Sequence, residues 1–450
     1  MTRDIPVQTS IARGLRWSRE NLFNSRGNSI LTIAALLVAA VLGFVVLRFV
    51  LFDANWGLVA INRKLFFVGS YPADEAYRIW IVVFFGAALA ALTYGVWVGH
   101  LRPYLLTVGI VAVIILTFGL GLEFQIQEFE FTDTIESGGQ TTVVTGIDRQ
   151  LIQSGGWAPG WLYALSFGLA VPFGGPWLLL AGVFAVMAGG AFVGRELARW
   201  RHSPILRQAF GAAWVLLIPL VVVLQIGIST LHWESVLLDF VVFAVGGFFS
   251  FVIGLFLALG RFSPFRAIRI ASVGYIETVR AAPLLVWLLF ATFLQDELGP
   301  IGVAFSSIDL VFRVMFVFAF FGGAYIAEVV RGGLQSIPSG QFEAADAVGL
   351  NSTQKYAFII LPQAIKAVIP AIIGRFIALW KDTALLAAIS LVNTLEKAKK
   401  VLAGQSDIAE GAFFEVYLIV ALIYWVVSYL LSRLGSAAES RLGESPRQTR

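Results

Sequence analysis

Apolar residues recur along this chain in runs of about twenty, separated by short polar breaks that carry most of its arginines. A run of that length crosses a roughly 30 Å hydrocarbon core as a helix. Ten spans are expected, at roughly 29–51, 79–99, 104–122, 176–195, 208–230, 235–259, 275–296, 309–330, 364–390 and 412–433. A further apolar piece, 161–172, lies between Pro159 and Pro172. It is either a re-entrant or interfacial segment or an eleventh span. The period changes at 123–149, where apolar and polar residues alternate around Ser137-Gly138-Gly139, the pattern of a β-hairpin. That hairpin is read either as a solvated loop or as a docking surface for an external protein.

Composition agrees with the bilayer reading. Of 450 residues, 58% are hydrophobic and 13% charged, with a mean hydropathy of +0.83. Soluble domains carry about twice that share of charge. Lipid offers no hydrogen bonds to an open backbone, so an all-α polytopic membrane protein is expected. The formal charge of +4 does not point to nucleic acid. With no cysteine, disulfides, thiol catalysis and thiolate metal sites are excluded. The histidines, His100, His202 and His232, are far apart and read as ordinary loop residues. The first 28 residues are polar, include Pro6 and do not read as a cleavable signal.

Basic residues orient the spans, because Lys and Arg favour the cytoplasmic side. With the N-terminus inside, Arg102, the group from Arg195 to Arg207, the group from Arg261 to Arg269 and the tail arginines all fall inside. The loop 123–175 then lies outside with Arg149 as its lone basic residue. Arg63, Lys64, Lys397, Lys399 and Lys400 are exceptions. An even number of spans with both termini cytoplasmic is the expectation.

One internal stretch departs from the rest. Residues 339–362 are polar and helix-forming. Ser339 is expected to cap a helix containing Glu343, Ala344 and Ala345, which stops at Gly349. Asn351 or Ser352 then caps a second helix, which Pro362 breaks. Helices this short are marginal alone, so they must pack on something through Phe342, Val348, Tyr356 and Phe358.

The spacing of Glu343-Ala344-Ala345, Gly349 and Ile360-Leu361-Pro362 resembles the EAA loop of ABC importer permeases. The stretches 275–290, 324–350 and 376–391 are similar to polar-amino-acid permeases, with Ala281 standing where that family usually has glycine. Residues 55–80 resemble the front extension of M-type subunits of general L-amino-acid transporters. The resemblance covers about 235–433. It implies a type I importer five-helix core, 232–436, behind an N-terminal extension, 1–231, with the cytoplasmic tail at 437–450. It further implies a coupling helix at 339–362 that contacts an ATPase through Glu343, Ala344, Ala345, Gly349, Leu361 and Pro362. The implied partners are two ATPase subunits, a second permease that is a homologous different chain, an external substrate-binding protein, an amino-acid substrate and the lipid of a bacterial cytoplasmic membrane. No cofactor is expected on this chain. The chain has no Gly-x-x-x-x-Gly-Lys run to cradle phosphate, so ATP and Mg belong to the partners, and the chain is not expected to be an enzyme.

Ionisable residues within apolar spans are costly and need a reason. Glu277 and Arg280 are three apart and can pair, as can Glu328 and Arg331; both pairs read as structural. Arg375, Lys381, Asp382 and Thr383 lie far along a span. They read either as an internal Lys–Asp pair or as part of a substrate path. Gly322-Gly323 and Gly332-Gly333 are expected to let helices approach closely, with a hinge as the alternative reading. The front spans carry no paired charges and are expected to brace the core rather than line the path. The competing readings are an ion-coupled secondary transporter, for which few central acids are present to build an ion site, and a membrane enzyme, for which no histidine cluster, HExxH or GxSxG is present.

Overall fold

The computed structural model describes residues 17–54, 56–72, 75, 77–97, 101–102, 104–109, 123–137, 140–155, 176–293, 307–405 and 412–443. Most of the expected span 104–122, the piece 161–172, Gly138-Gly139 and the last seven residues lie outside these. Two units are present, Met1–Trp56 and Gly57–Arg450. The first holds α1 (Arg26–Arg48), capped by Ser25 and running into a π-helical turn, Phe49–Asp53, where Arg48 meets Asp53 at 3.1 Å.

The second unit begins with two short helices, α2 (Gly57–Ile61) and α3 (Arg63–Val68), and the long α4 (Tyr77–Trp97). Strands β1 (Glu123–Ser137) and β2 (Gln140–Gly155) follow as the expected antiparallel hairpin, with Ser137 opposite Gln140. It runs further than the alternation suggested, to Gly155. Next come α5 (Pro176–Leu197), α6 (Pro204–Leu224), α7 (Ser235–Arg261), α8 (Arg266–Ala281) and α9 (Leu284–Phe293). The chain closes with α10 (Leu310–Gln335), α11 (Ser339–Ala347), α12 (Leu361–Asp382), α13 (Thr394–Gly404) and α14 (Phe413–Gly443). Among the described residues, eight helices are long and apolar enough to cross a membrane, or nine if one bent pair is a single span.

That bent pair corrects the straight span expected at 275–296. Helices α8 and α9 meet at 93°. Pro283 follows Ala282, whose backbone is extended (φ −116, ψ 148), because a residue before proline is pushed out of the helical region. Helix α8 is amphipathic, burying Ser272, Ile276 and Val279.

The centre is the α7–α10 pair. Gly322 and Gly323 of α10 lie against Ser250, Ile253 and Gly254 of α7, and Gly333 lies against the backbone of Ala364. Removing side chains at those crossings brings the backbones together, which is what packing in lipid requires. Gly332 meets nothing and takes no part. The largest fully buried side chain, Trp380 of α12, sits 5.6 Å from the Phe243 ring and 5.4 Å from that of Tyr424.

Packing is continuous across residue 232. Helices α2 and α3 bury Leu58 and Phe66 in one cluster with Ala398, Val401 and Leu402 of α13 and Val416 and Val420 of α14. Polar bonds lock the same joint. Glu234 accepts from the Lys397 ammonium (2.7 Å) and from the backbone N–H (2.6 Å) and hydroxyl (2.7 Å) of Ser70. Gly69 (φ +62) makes the turn that presents Ser70, and a Cβ there would run into Glu234. Ser235 donates to Leu65 O, the Asn62 amide donates to Gln405 (2.7 Å), and the Tyr71 hydroxyl donates to Gln225 (2.8 Å). Next to this joint, wholly buried Asp239 accepts from the Thr394 N–H (3.1 Å), the Thr394 hydroxyl and the Tyr424 hydroxyl (3.0 Å), tying α7 to α13 and α14.

Candidate functional site: a stapled turn and a polar helix face

The segment between α10 and α12 forms two helical pieces joined at a glycine. Helix α11 starts at Ser339 itself, with Pro338 in the cap position, so the expected Ser339 cap is not made. It ends in a Schellman arrangement. The Gly349 N–H donates to Asp346 O (3.0 Å), the Leu350 N–H donates to Ala345 O (3.2 Å), and Gly349 takes φ +76. Asn351 and Gln354 then form a reciprocal capping box.

Pro362 does not break the second helix. A π-helical stretch, Lys355–Ile360, precedes it, and the helix runs on, so that Ser352–Ile389 forms one 38-residue element. Proline lacks an N–H and its ring collides with the carbonyl four residues back. The wider π turn shifts the bonding register just before Pro362, and the proline then occupies the first turn of α12, where its missing donor costs nothing.

The turn is fastened to the bundle and to itself. Phe342 and Tyr356 meet edge to face at 6.2 Å, and both pack on the cluster of Ile326, Val330, Ile360 and Ala364. Such an aromatic pair contributes about 1 kcal/mol beyond its burial. Lys355 pairs with Asp346 at 2.6 Å, and the Gln363 amide donates to Gln341 (3.1 Å). Of the expected coupling residues, Ala345 is buried and Leu361 half-buried, whereas Glu343, Ala344, Gly349 and Pro362 are exposed. Beside them stand Val348, 75% exposed, and Phe358, 69% exposed. A rigid knob therefore presents apolar side chains next to a free carboxylate.

Behind the knob lies a charge hub that differs from the two pairs expected. Glu328 takes Arg331 (Nε to Oε1, 2.8 Å), Arg261 (3.2 Å) and Arg280 (3.8 Å). The Glu328–Arg331 pair is present, but Arg280 turns to Glu328, and Glu277 is left with Arg261 at 3.9 Å. Arg280 prefers the half-buried Glu328 on α10 to the exposed Glu277 on its own helix. One carboxylate thus joins α7, α8 and α10.

Helix α12 carries the third feature. Its exposed positions are Pro362, Gln363, Lys366, Ala367, Pro370, Ala371, Gly374, Arg375 and Lys381, with no large apolar side chain among them. By contrast α14 exposes Phe413, Phe414, Trp425 and Leu430, and α7 exposes Phe240, Phe249 and Phe256. A spanning helix turned to lipid has the second composition, and charge in lipid is costly. Lys381 and Asp382 form no ion pair with each other: Lys381 is exposed and Asp382 half-buried. The internal Lys–Asp pair is therefore overturned. Thr383 is buried, donates to Trp380 O (2.8 Å) and opens a 3-10 turn, Thr383–Ile389, so it serves the fold. The Arg375 guanidinium lies 4.7 Å from the centre of the Tyr325 ring, and that of Arg280 lies 5.4 Å from the same centre. The Glu234–Lys397–Ser70 joint was not anticipated; a lysine and a glutamate at the ends of apolar runs were its signal in the sequence.

Comparison with known proteins identifies the family. The family described as binding-protein-dependent transport system inner membrane component matches residues 250–444. The chain is 31% identical to a glutamate/glutamine/aspartate/asparagine transport system permease protein of Rhodobacter capsulatus, over 97% of this chain and 95% of that one. It is 35% identical to an inner membrane amino-acid ABC transporter permease protein of Escherichia coli, over 55% of this chain and 68% of that one. A solved amino acid ABC transporter crystallised with histidines shares 27% identity over 51% of this chain and 97% of its own, with a TM-score of 0.40. The chain thus belongs to the inner-membrane permease components of binding-protein-dependent amino-acid ABC importers, and is not itself an ATPase.

Proposed function

We propose that this permease forms half of the translocation path, paired with a second, homologous permease, and that ATPase subunits drive it through the 339–360 turn. The stapled knob carries this reading. Gly349 sets its angle, the capping box and the Lys355–Asp346 pair hold its shape, and exposed Ala344, Val348 and Phe358 suit an apolar socket. Glu343, beside them, suits a basic side chain across the joint. Rigidity matters because a displacement transmitted through a soft joint is lost before it reaches the bundle.

The knob joins α10 directly to α12, so pushing it moves the helix that carries the polar face. That face lines the path shared with the second permease, where water and solute replace lipid. ATP binding then favours one packing of the bundle by differential contact, and alternating access follows as rigid-body rocking. ATP and Mg bind to the ATPase subunits, and an external binding protein delivers the amino acid to the other end. The knob and both termini face the cytoplasm in this reading. In the reconstituted importer, Glu343→Arg is expected to abolish transport-linked ATP hydrolysis while the complex still inserts; full activity in that variant would remove the knob from the mechanism.

A further inference from the structure

Helices α4, α5 and α6 join the core at one end of the bundle. Val82 of α4 packs against the central cluster that holds Val221 of α6. Their other ends form a separate small cluster of Ala91, Leu101 and Ala191, with Tyr104 and Met187 packed on it. There Gly95 lies against the backbone of Ala191, Gly194 and Arg195, and Trp97 meets Phe210 of α6 edge to face at 4.9 Å. The backbone under Arg195 is therefore closely packed, and the rim above it is basic. From Arg195 to Arg207 the chain carries four arginines and one acid, Glu196. Arg195, Arg199, Arg201 and His202 are exposed, and none forms an ion pair among the described residues.

The surface of α5 changes character along one stripe as it nears this rim. Phe192, Arg195 and Arg199 fall at i, i+3 and i+7 of a helix that a 3-10 turn, Ala198–Trp200, extends. Phe192 is 58% exposed and Val193 beside it 51%, which suits acyl chains. The two guanidiniums follow, one turn apart. The Arg199 guanidinium lies 5.8 Å from the centre of the Trp200 ring, and that ring is itself 56% exposed. Exposed tryptophan at the end of a span marks the depth of lipid headgroups. An apolar stripe that runs into two unneutralised cations at that depth matches a molecule apolar at one end and anionic at the other. We propose that Arg195 and Arg199 hold the phosphate of an anionic phospholipid, with its acyl chain along Phe192. Each planar guanidinium fork can give two parallel N–H bonds to phosphate oxygens. A zwitterionic lipid brings its own ammonium to the same rim, where the guanidiniums repel it. The bound lipid fastens the end of α4, α5 and α6 that the central cluster does not reach.

The test uses the full chain in its complete importer, purified in neutral detergent. It is titrated with phosphatidylglycerol or phosphatidylcholine, and bound lipid is counted by native mass spectrometry. Phosphatidylglycerol is expected to bind about twentyfold more tightly, from two cations worth about fivefold each. Arg195→Gln and Arg199→Gln are each expected to weaken phosphatidylglycerol about fivefold and to leave phosphatidylcholine unchanged. Arg195→Lys is expected to lose less. Both arginines are exposed, so the variants are expected to keep the wild-type melting temperature in phosphatidylcholine. Lys400→Gln removes an exposed charge elsewhere and is expected to change neither affinity. Equal affinity of the wild type for the two lipids overturns the site, as does unchanged phosphatidylglycerol binding in the Arg195→Gln, Arg199→Gln double variant. An equal loss in Lys400→Gln would show that net charge alone attracts the lipid. Full displacement of phosphatidylglycerol by excess inorganic phosphate would make this a site for a free anion, and either result overturns the proposal.

Discussion

Glu234 accepts a hydrogen bond from the Lys397 ammonium at 2.7 Å, and both side chains are nearly buried although 163 positions separate them. Glu234 stands immediately before α7, Lys397 is on α13, and Ser70 of the front segment bonds the same carboxylate oxygen. Removing one member leaves a buried charge without its partner, which typically costs about 3–5 kcal/mol. Lys397→Met and Glu234→Gln are each expected to lower the melting temperature of the purified permease. A double Glu234→Gln, Lys397→Met variant is expected to be less damaged than the sum. Additive losses in a thermal-shift cycle would show that the two residues are not coupled.

Acid should loosen this joint. Burial raises the Glu234 pKa, but the bonds from Lys397 and Ser70 outweigh it and hold the carboxyl below its ordinary value. A depressed folded-state pKa gives stability that is complete above the unfolded value, about 4.3, and is lost as the pH falls through the folded one. Thermal stability should therefore fall below about pH 4 in the wild type, with the Glu234→Gln variant showing a smaller acid-dependent drop.

Cutting the chain at residue 225 should not yield a working permease. The front part of the chain was expected to brace the core rather than line the path, and α2 and α3 supply Leu58 and Phe66 to a core cluster, with Ser70 after them bonding Glu234. A chain starting at Gly57 is expected to assemble and one starting near 225 to aggregate, as judged by size exclusion in mild detergent. Equal behaviour of the two would contradict the joint's role.

Gly349→Val should stiffen the wrong conformation. Gly349 takes φ +76, a region a β-branched residue reaches only at a cost of about 1–2 kcal/mol. Open space surrounds the position, so the strain comes from the backbone rather than from a clash. The variant is expected to insert normally but to couple ATP hydrolysis to uptake poorly, with Gly349→Asn intermediate because asparagine tolerates that region better. Uptake per ATP equal to wild type in the valine variant would remove the turn's angle from the account.

The fold was legible where a physical rule acts over a few residues. Alternation around Ser137 predicted the hairpin, and Gly349 and Asn351 correctly marked where one short helix stops and the next starts. The rules failed where two acted together. Pro362 ends a helix in isolation, but the π turn at Lys355–Ile360 absorbs it, and only the tertiary packing of Tyr356 and Ile360 selects that turn. Pro283 was passed over because the apolar run Leu284–Phe293 after it was read together with the stretch before it, which hid a 93° bend. Pairings between helices were the least legible. Spacing brought Glu277 to Arg280, but it carries no information about Glu328 arriving on α10. The same limit hid Glu234 from Lys397 and Ser70. The helix–glycine–helix turn at 339–360 was legible because it is one continuous polar segment.

The central claim is that force enters at the 339–360 knob. The chain has no cysteine, so a single introduced one reports alone. Val348→Cys and, at the far joint, Lys400→Cys should each be joined to a short thiol crosslinker in membranes holding the whole importer, and the products identified by mass spectrometry. The account predicts an ATPase adduct at position 348, varying with nucleotide, and none at 400. An ATPase adduct at 400 with none at 348 would contradict it.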